Sequence, residues 1–70
     1  MLFRLVNVEY DSHTKRAYVE FRANDGGDGD EIIATTIFTF RSKSKLSKSE
    51  IKQEIVRKAR HALKRAAVAT

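Results

Sequence analysis

The hydrophobic pattern of this chain changes its period once, and that change restricts the fold more than any other feature of the sequence. Up to about residue 41, apolar side chains recur at every second position; from Ser47 onward they recur at every third and fourth. A period of two puts alternate side chains on opposite faces of a strand, whereas a period near 3.6 gathers them along one side of a helix. The chain therefore reads as strands followed by a helix.

Val6, Val8 and Tyr10 alternate with Asn7 and Glu9, which predicts a half-buried strand over 3–10. Asp11-Ser12-His13-Thr14 supplies turn-forming side chains. Alternation then resumes, Ala17, Val19, Phe21 and Ala23 against Arg16, Tyr18, Glu20 and Arg22, predicting a second strand over 15–23 and hence a hairpin. All three glycines of the chain fall between Asn24 and Asp30 together with three aspartates, the composition of a loop. A third strand is expected over 31–41, where β-branched and aromatic residues concentrate. Its two faces, Ile32, Ala34, Phe38, Phe40 and Ile33, Thr35, Ile37, Thr39, are both apolar enough to be buried. One helix covers one face only. The other, with Ile33, Ile37, Tyr18 and Leu5, is then either exposed surface or the interface of a homodimer.

Ser47 followed by Glu50 forms a capping box, in which side chain and backbone exchange hydrogen bonds at a helix start, and Leu46 and Ile51 flank it as a hydrophobic staple. The helix predicted over 48–66 places Ile51, Ile55, Ala59, Ala62, Leu63 and Ala66 on one side and Arg57, Arg60, His61, Lys64 and Arg65 on the other. The expected fold is α+β: one small domain over 1–70, a three-stranded antiparallel sheet (β-β-β-α) packed by one C-terminal amphipathic helix. Seventy residues leave little apolar area to bury, and with no cysteine neither a disulfide nor a thiolate metal site reinforces the core. No run approaches the roughly 18 apolar residues of a membrane span, and Met1 to Val6 is too short for a signal-peptide core, so the expectation is a cytoplasmic protein.

Charge is distributed unevenly. Residues 1–40 carry −3, and residues 41–70 carry +8, with only Glu50 and Glu54 set against ten basic side chains. Arg57, Lys58, Arg60, Lys64 and Arg65 fall in the second half of the helix, where the macrodipole favours cations and solubility explains the rest. Lys43, Lys45, Lys48 and Lys52 instead surround the positive end, where each cation is disfavoured by a few tenths of a kcal/mol or more. An anion held by those lysines and the exposed N–H groups offsets the cost, and a phosphate of a nucleic acid is the candidate. The alternatives are plain solvation and neutralisation by the acidic loop at Asp25, Asp28, Asp30 and Glu31.

Ser47-Lys48-Ser49-Glu50-Ile51-Lys52-Gln53, with Lys58-Ala59 and Ala62-Leu63 further on, resembles the last helix of a double-stranded RNA-binding domain, which opens on an S-K-K-x-A-K pattern and ends in A-L. The resemblance covers residues 8 to 63, the family's last three strands and second helix. His13 takes a place similar to that of the histidine in the family's first hairpin loop. Ser49 stands at the second lysine and Ile51 at the alanine, the glycines that precede the family's helix are absent, and its first helix has no counterpart here. The resemblance implies that Lys48 and Lys52 bridge major-groove phosphates and that His13 approaches a minor groove.

Other chemistry finds less support. An EF-hand loop begun at Asp25 would put Gly27 and Gly29 at ligand positions and Asp30 at the obligatory glycine. The Gly26-to-Glu31 run approximates a calcium-binding β-roll repeat but occurs once, whereas such sites need stacked repeats. Consecutive side chains Asp11-Ser12-His13 diverge and cannot align as nucleophile, base and orienter, and His61 has no carboxylate partner in prospect. A lipid-surface helix would need bulkier apolar residues than alanine. The expectation is a non-enzymatic protein with no catalytic residue, metal or cofactor and no membrane partner. It binds duplex RNA or DNA through Lys43, Lys45, Lys48, Lys52 and His13, or else it is an interaction or homodimerisation module using the free sheet face.

Overall fold

Alternation of small and large apolar residues with polar ones drives the first three elements, and the capping box starts the fourth. In the computed structural model, which describes residues 3–24, 29–42 and 45–69, strands β1 (Arg4–Asp11), β2 (Arg16–Asn24) and β3 (Glu31–Thr39) precede a single helix, α1 (Lys48–Ala69). The strands form one antiparallel sheet in the order β1-β2-β3, and α1 packs across one of its faces. The architecture is α+β. β3 stops two residues before Arg41, and α1 runs three residues beyond Ala66.

β2 is the central strand and contributes the middle of the core. Ala17, Val19 and Phe21 are fully buried and Ala23 nearly so, while Tyr18, Glu20 and Arg22 point to the opposite face. Ile55 and Ala59 of α1 close over them, with Phe40 beside, and Ile51 and Leu63 pack at the margin. The helical stripe is narrower than its periodicity suggests, since Ala62 and Ala66 are exposed. A spacing of four through Ile51, Ile55, Ala59 and Leu63 is enough to reach the sheet.

Register decides the two points that periodicity left open or placed differently. Ile32, Ala34, Thr36 and Phe38 lie opposite Ala23, Phe21, Val19 and Ala17, so this set of β3 is the covered one, and Ile33 and Ile37 stay 55% and 60% exposed. In β1 the register shifts between Leu5 and Asn7: Leu5 pairs with Phe21 and Asn7 with Glu20, leaving Val6 unpaired as a β-bulge. One extra residue inverts the side-chain parity. Leu5, opposite the buried Phe21 and expected on the free face, therefore belongs to the helix side.

The β1–β2 turn is closed by its first residue. Asp11 Oδ1 accepts the N–H of His13 at 2.8 Å and of Thr14 at 3.3 Å, and the Lys15 N–H donates to Asp11 O at 2.8 Å. Lys15 takes the left-handed conformation (φ 63°) needed to re-enter the sheet. The two backbone donors hold the Asp11 carboxyl below its ordinary value of 3.8.

Candidate nucleic-acid interface

The helix start is built as the sequence indicated. Ser47 Oγ accepts the Glu50 N–H at 3.2 Å, Glu50 Oε1 accepts the Ser47 N–H at 3.2 Å, and the Ile51 N–H donates to Ser47 O at 2.9 Å. The hydrogen bond from Ser47 keeps the exposed Glu50 carboxyl below its ordinary value of 4.5, in its anionic form at neutral pH. Among the described residues, nothing engages the backbone N–H groups of Lys48 and Ser49. The positive end of α1 thus keeps two donors directed outward between lysine side chains.

Tertiary packing sets what lies beside that end. Tyr10 and Ser12 line a recess together with Lys48, Ser49, Ile51 and Lys52. Further along, Leu5 and Val6 flank a groove with Val56 and Arg60. α1 therefore runs antiparallel to β1, starting at the β1–β2 turn. Tyr10 ties the end of β3 to the same corner: its hydroxyl donates to Phe40 O at 3.1 Å, and the two rings meet edge to face at 6.1 Å.

Of the residues singled out in the sequence, Lys48 and Lys52 come together, one helical turn apart on the recess. His13 is exposed in the β1–β2 turn, one residue from Ser12 of the same recess. Lys45 is exposed on the connection ahead of α1 and does not line the recess. Lys43 lies outside the described residues. Ser12 and Ser49 were not expected among the phosphate contacts; their hydroxyls add neutral donors to this corner, and only the meeting of turn and helix start reveals that role.

No protein-family model, curated protein or solved structure matches the chain. What the site can do therefore rests on its own electrostatics. Arg57 pairs with Glu54, Lys58 Nζ stands 5.2 Å from the centre of the Phe38 ring, and the Arg60 guanidinium stands 5.1 Å from that of Phe21. Lys45, Lys48 and Lys52 have no such partner among the described residues. Among the described residues of the acidic loop, Asp30 and Glu31 do not neutralise these lysines. Glu31 pairs with Arg22 at 3.5 Å, and both it and Asp30 sit at the β2–β3 end of the sheet, away from the helix start; Asp25 and Asp28 lie outside the described residues. No group of three or more potential metal ligands occurs among the described residues, and no described helix is long and apolar enough to cross a membrane.

Proposed function

We propose that this chain is a nucleic-acid-binding module that grips backbone phosphate at the start of α1, with Lys48 and Lys52 as the principal phosphate ligands, Lys43 and Lys45 as flanking cations, and His13 and Ser12 reaching from the adjoining turn. The observation that carries this reading is the contrast in cation pairing along one helix: Arg57, Lys58 and Arg60 have partners of their own, whereas Lys48 and Lys52, beside the positive helix end, have none among the described residues, and Lys64 and Arg65, also without one, lie far from that end. Two like charges one turn apart destabilise a helix by about 0.2–0.5 kcal/mol, and the dipole adds to that cost. A phosphate reverses both effects, because it satisfies the outward N–H groups and neutralises both lysines. The resemblance to the last helix of a double-stranded RNA-binding domain favours a duplex, in which phosphates across a groove are spaced for paired lysines. The protein in this reading acts by binding, without catalysis or cofactor.

A titration of the chain against duplex RNA, duplex DNA and single strands at two salt concentrations tests the reading. Binding of duplexes that weakens steeply with salt is the expected result; absence of binding to any of them at low salt would remove it.

A further inference from the structure

The two outer strands of the sheet differ in how their free edges are protected. Exposed edges offer unpaired N–H and C=O groups to other strands, and proteins usually blunt them with bulges, charges, proline or short length. β1 has such devices: the bulge at Val6, and Arg4, Glu9 and Asp11 along its length. β3 has almost none. It pairs with β2 without a register shift over nine residues, six of them β-branched, and its one charged residue is Glu31 at the start. Ile33 and Ile37, the two most exposed large apolar side chains among the described residues, both belong to it.

The charges around β3 are self-complementary in one orientation only. Asp30 and Glu31 stand at its start, and Arg41 and Lys45 follow its end. If a second copy pairs antiparallel, the acidic start of each β3 lies beside the basic exit of the other; parallel pairing would bring like charges together. A pairing centred on Thr35 sets Ile33 opposite Ile37 of the second copy and Ile32 opposite Phe38, so apolar residues meet on both faces. The core supplies a reason for association as well. Its buried members among the described residues number seven, and three of these are alanines, a thin core of the kind that oligomerisation commonly supplements.

We infer that the outer edge of β3 is the site at which a second copy of this chain docks, forming a continuous six-stranded antiparallel sheet with a two-fold axis through Thr35. The open face itself is a poorer interface. Its centre is occupied by a polar chain in which the Tyr18 hydroxyl donates to Glu20 at 3.0 Å and Arg22 Nε donates to the same carboxylate at 3.0 Å. Because paired residues share a face, both copies of α1 lie on one side of the joined sheet, and the phosphate-binding corners are duplicated there. The dimer does not depend on phosphate binding and forms without nucleic acid.

Because the chain has no cysteine, a single introduced one reports its own neighbour. In sedimentation equilibrium, the wild-type chain is expected at twice its 8.0 kDa mass. A Thr35→Cys variant is expected to form a disulfide-linked dimer on mild oxidation, and Tyr18→Cys, at the centre of the open face, is expected not to. Thr35→Lys and Thr35→Glu should each sediment at the monomer mass, since like charges then meet on the axis, and an equimolar mixture of the two should recover the dimer. Far-UV circular dichroism checks that each variant is folded, and Ile37→Lys provides a second edge variant should one of these fail. A wild-type monomer at all concentrations overturns the inference. So does a dimer that crosslinks through the Tyr18→Cys variant and not through Thr35→Cys.

Discussion

The start and the middle of α1 carry the same kind of charge and put it to different use. In the middle of the helix Arg57 has Glu54 of the same helix, Lys58 has the Phe38 ring and Arg60 has the Phe21 ring, so Lys58 and Arg60 are part of how the helix holds the sheet. In the first half Lys48 and Lys52 stand beside the positive helix end with no partner of their own among the described residues. Equal charge along one helix therefore has different consequences for stability: favourable where a ring or a carboxylate answers it, unfavourable where the dipole opposes it; the last turn of α1 carries no cation. Cations that the fold does not need are the ones available to a ligand.

Substitutions break or sharpen this contrast in a definite order of size. Ile55 is fully buried and anchors both halves, so Ile55→Ala is expected to cost about 2–5 kcal/mol in urea denaturation and to abolish the difference by unfolding much of the protein. Ser47→Ala removes the cap and should cost about 1 kcal/mol, fraying the first turn while leaving the second half packed. The sharpest discrimination comes from neutralising cations in pairs. Lys58→Gln with Arg60→Gln removes two cations from aromatic faces and should lower stability by about 0.5–1 kcal/mol for each. Lys48→Gln with Lys52→Gln should raise it by a few tenths of a kcal/mol each. Thermal melts of the two double variants should therefore move in opposite directions.

Acid provides a smaller perturbation of the first half. Glu50 and Asp11 are both held below their ordinary values of 4.5 and 3.8 by hydrogen bonds from backbone N–H groups. A carboxyl depressed in the folded state stabilises fully above its unfolded value, and that contribution is lost as pH falls through the folded one. Stability is thus expected to be level above about pH 5 and to decline below it. A Glu50→Gln variant should decline less, and an equal decline in urea melts at pH 7 and pH 3 would show that the cap plays no part.

Much of this was legible in the sequence because local chemistry determined it. Ser47 and Glu50 specified the helix start to the residue, and alternation in β2 specified its buried side without reference to any other strand. β1 and β3 depended on their neighbours. In β3 both faces are apolar, and only pairing with β2 puts Ile33 beside Arg22 and Ala34 beside Phe21. In β1 alternation continues through Val6, yet the bulge there inverts the parity, an event with no signature in residue type. The same holds for the site. Lys48 and Lys52 stood out from the capping box, whereas Ser12 joins them only because α1 returns along β1 to the first turn.

If the unpartnered lysines at the helix start hold phosphate, they set the salt dependence of binding, and the paired cations in the middle of the helix do not. The direct measurement is the slope of log affinity against log salt concentration for duplex binding, in the wild-type chain, the Lys48→Gln/Lys52→Gln variant and the Lys58→Gln/Arg60→Gln variant. Each phosphate left without its cation reduces the slope by about 0.9 on duplex DNA. The first variant should therefore show a slope shallower by about 2 with weaker binding at low salt, and the second a slope close to wild type. Equal slopes for the wild-type chain and the Lys48→Gln/Lys52→Gln variant would contradict the assignment.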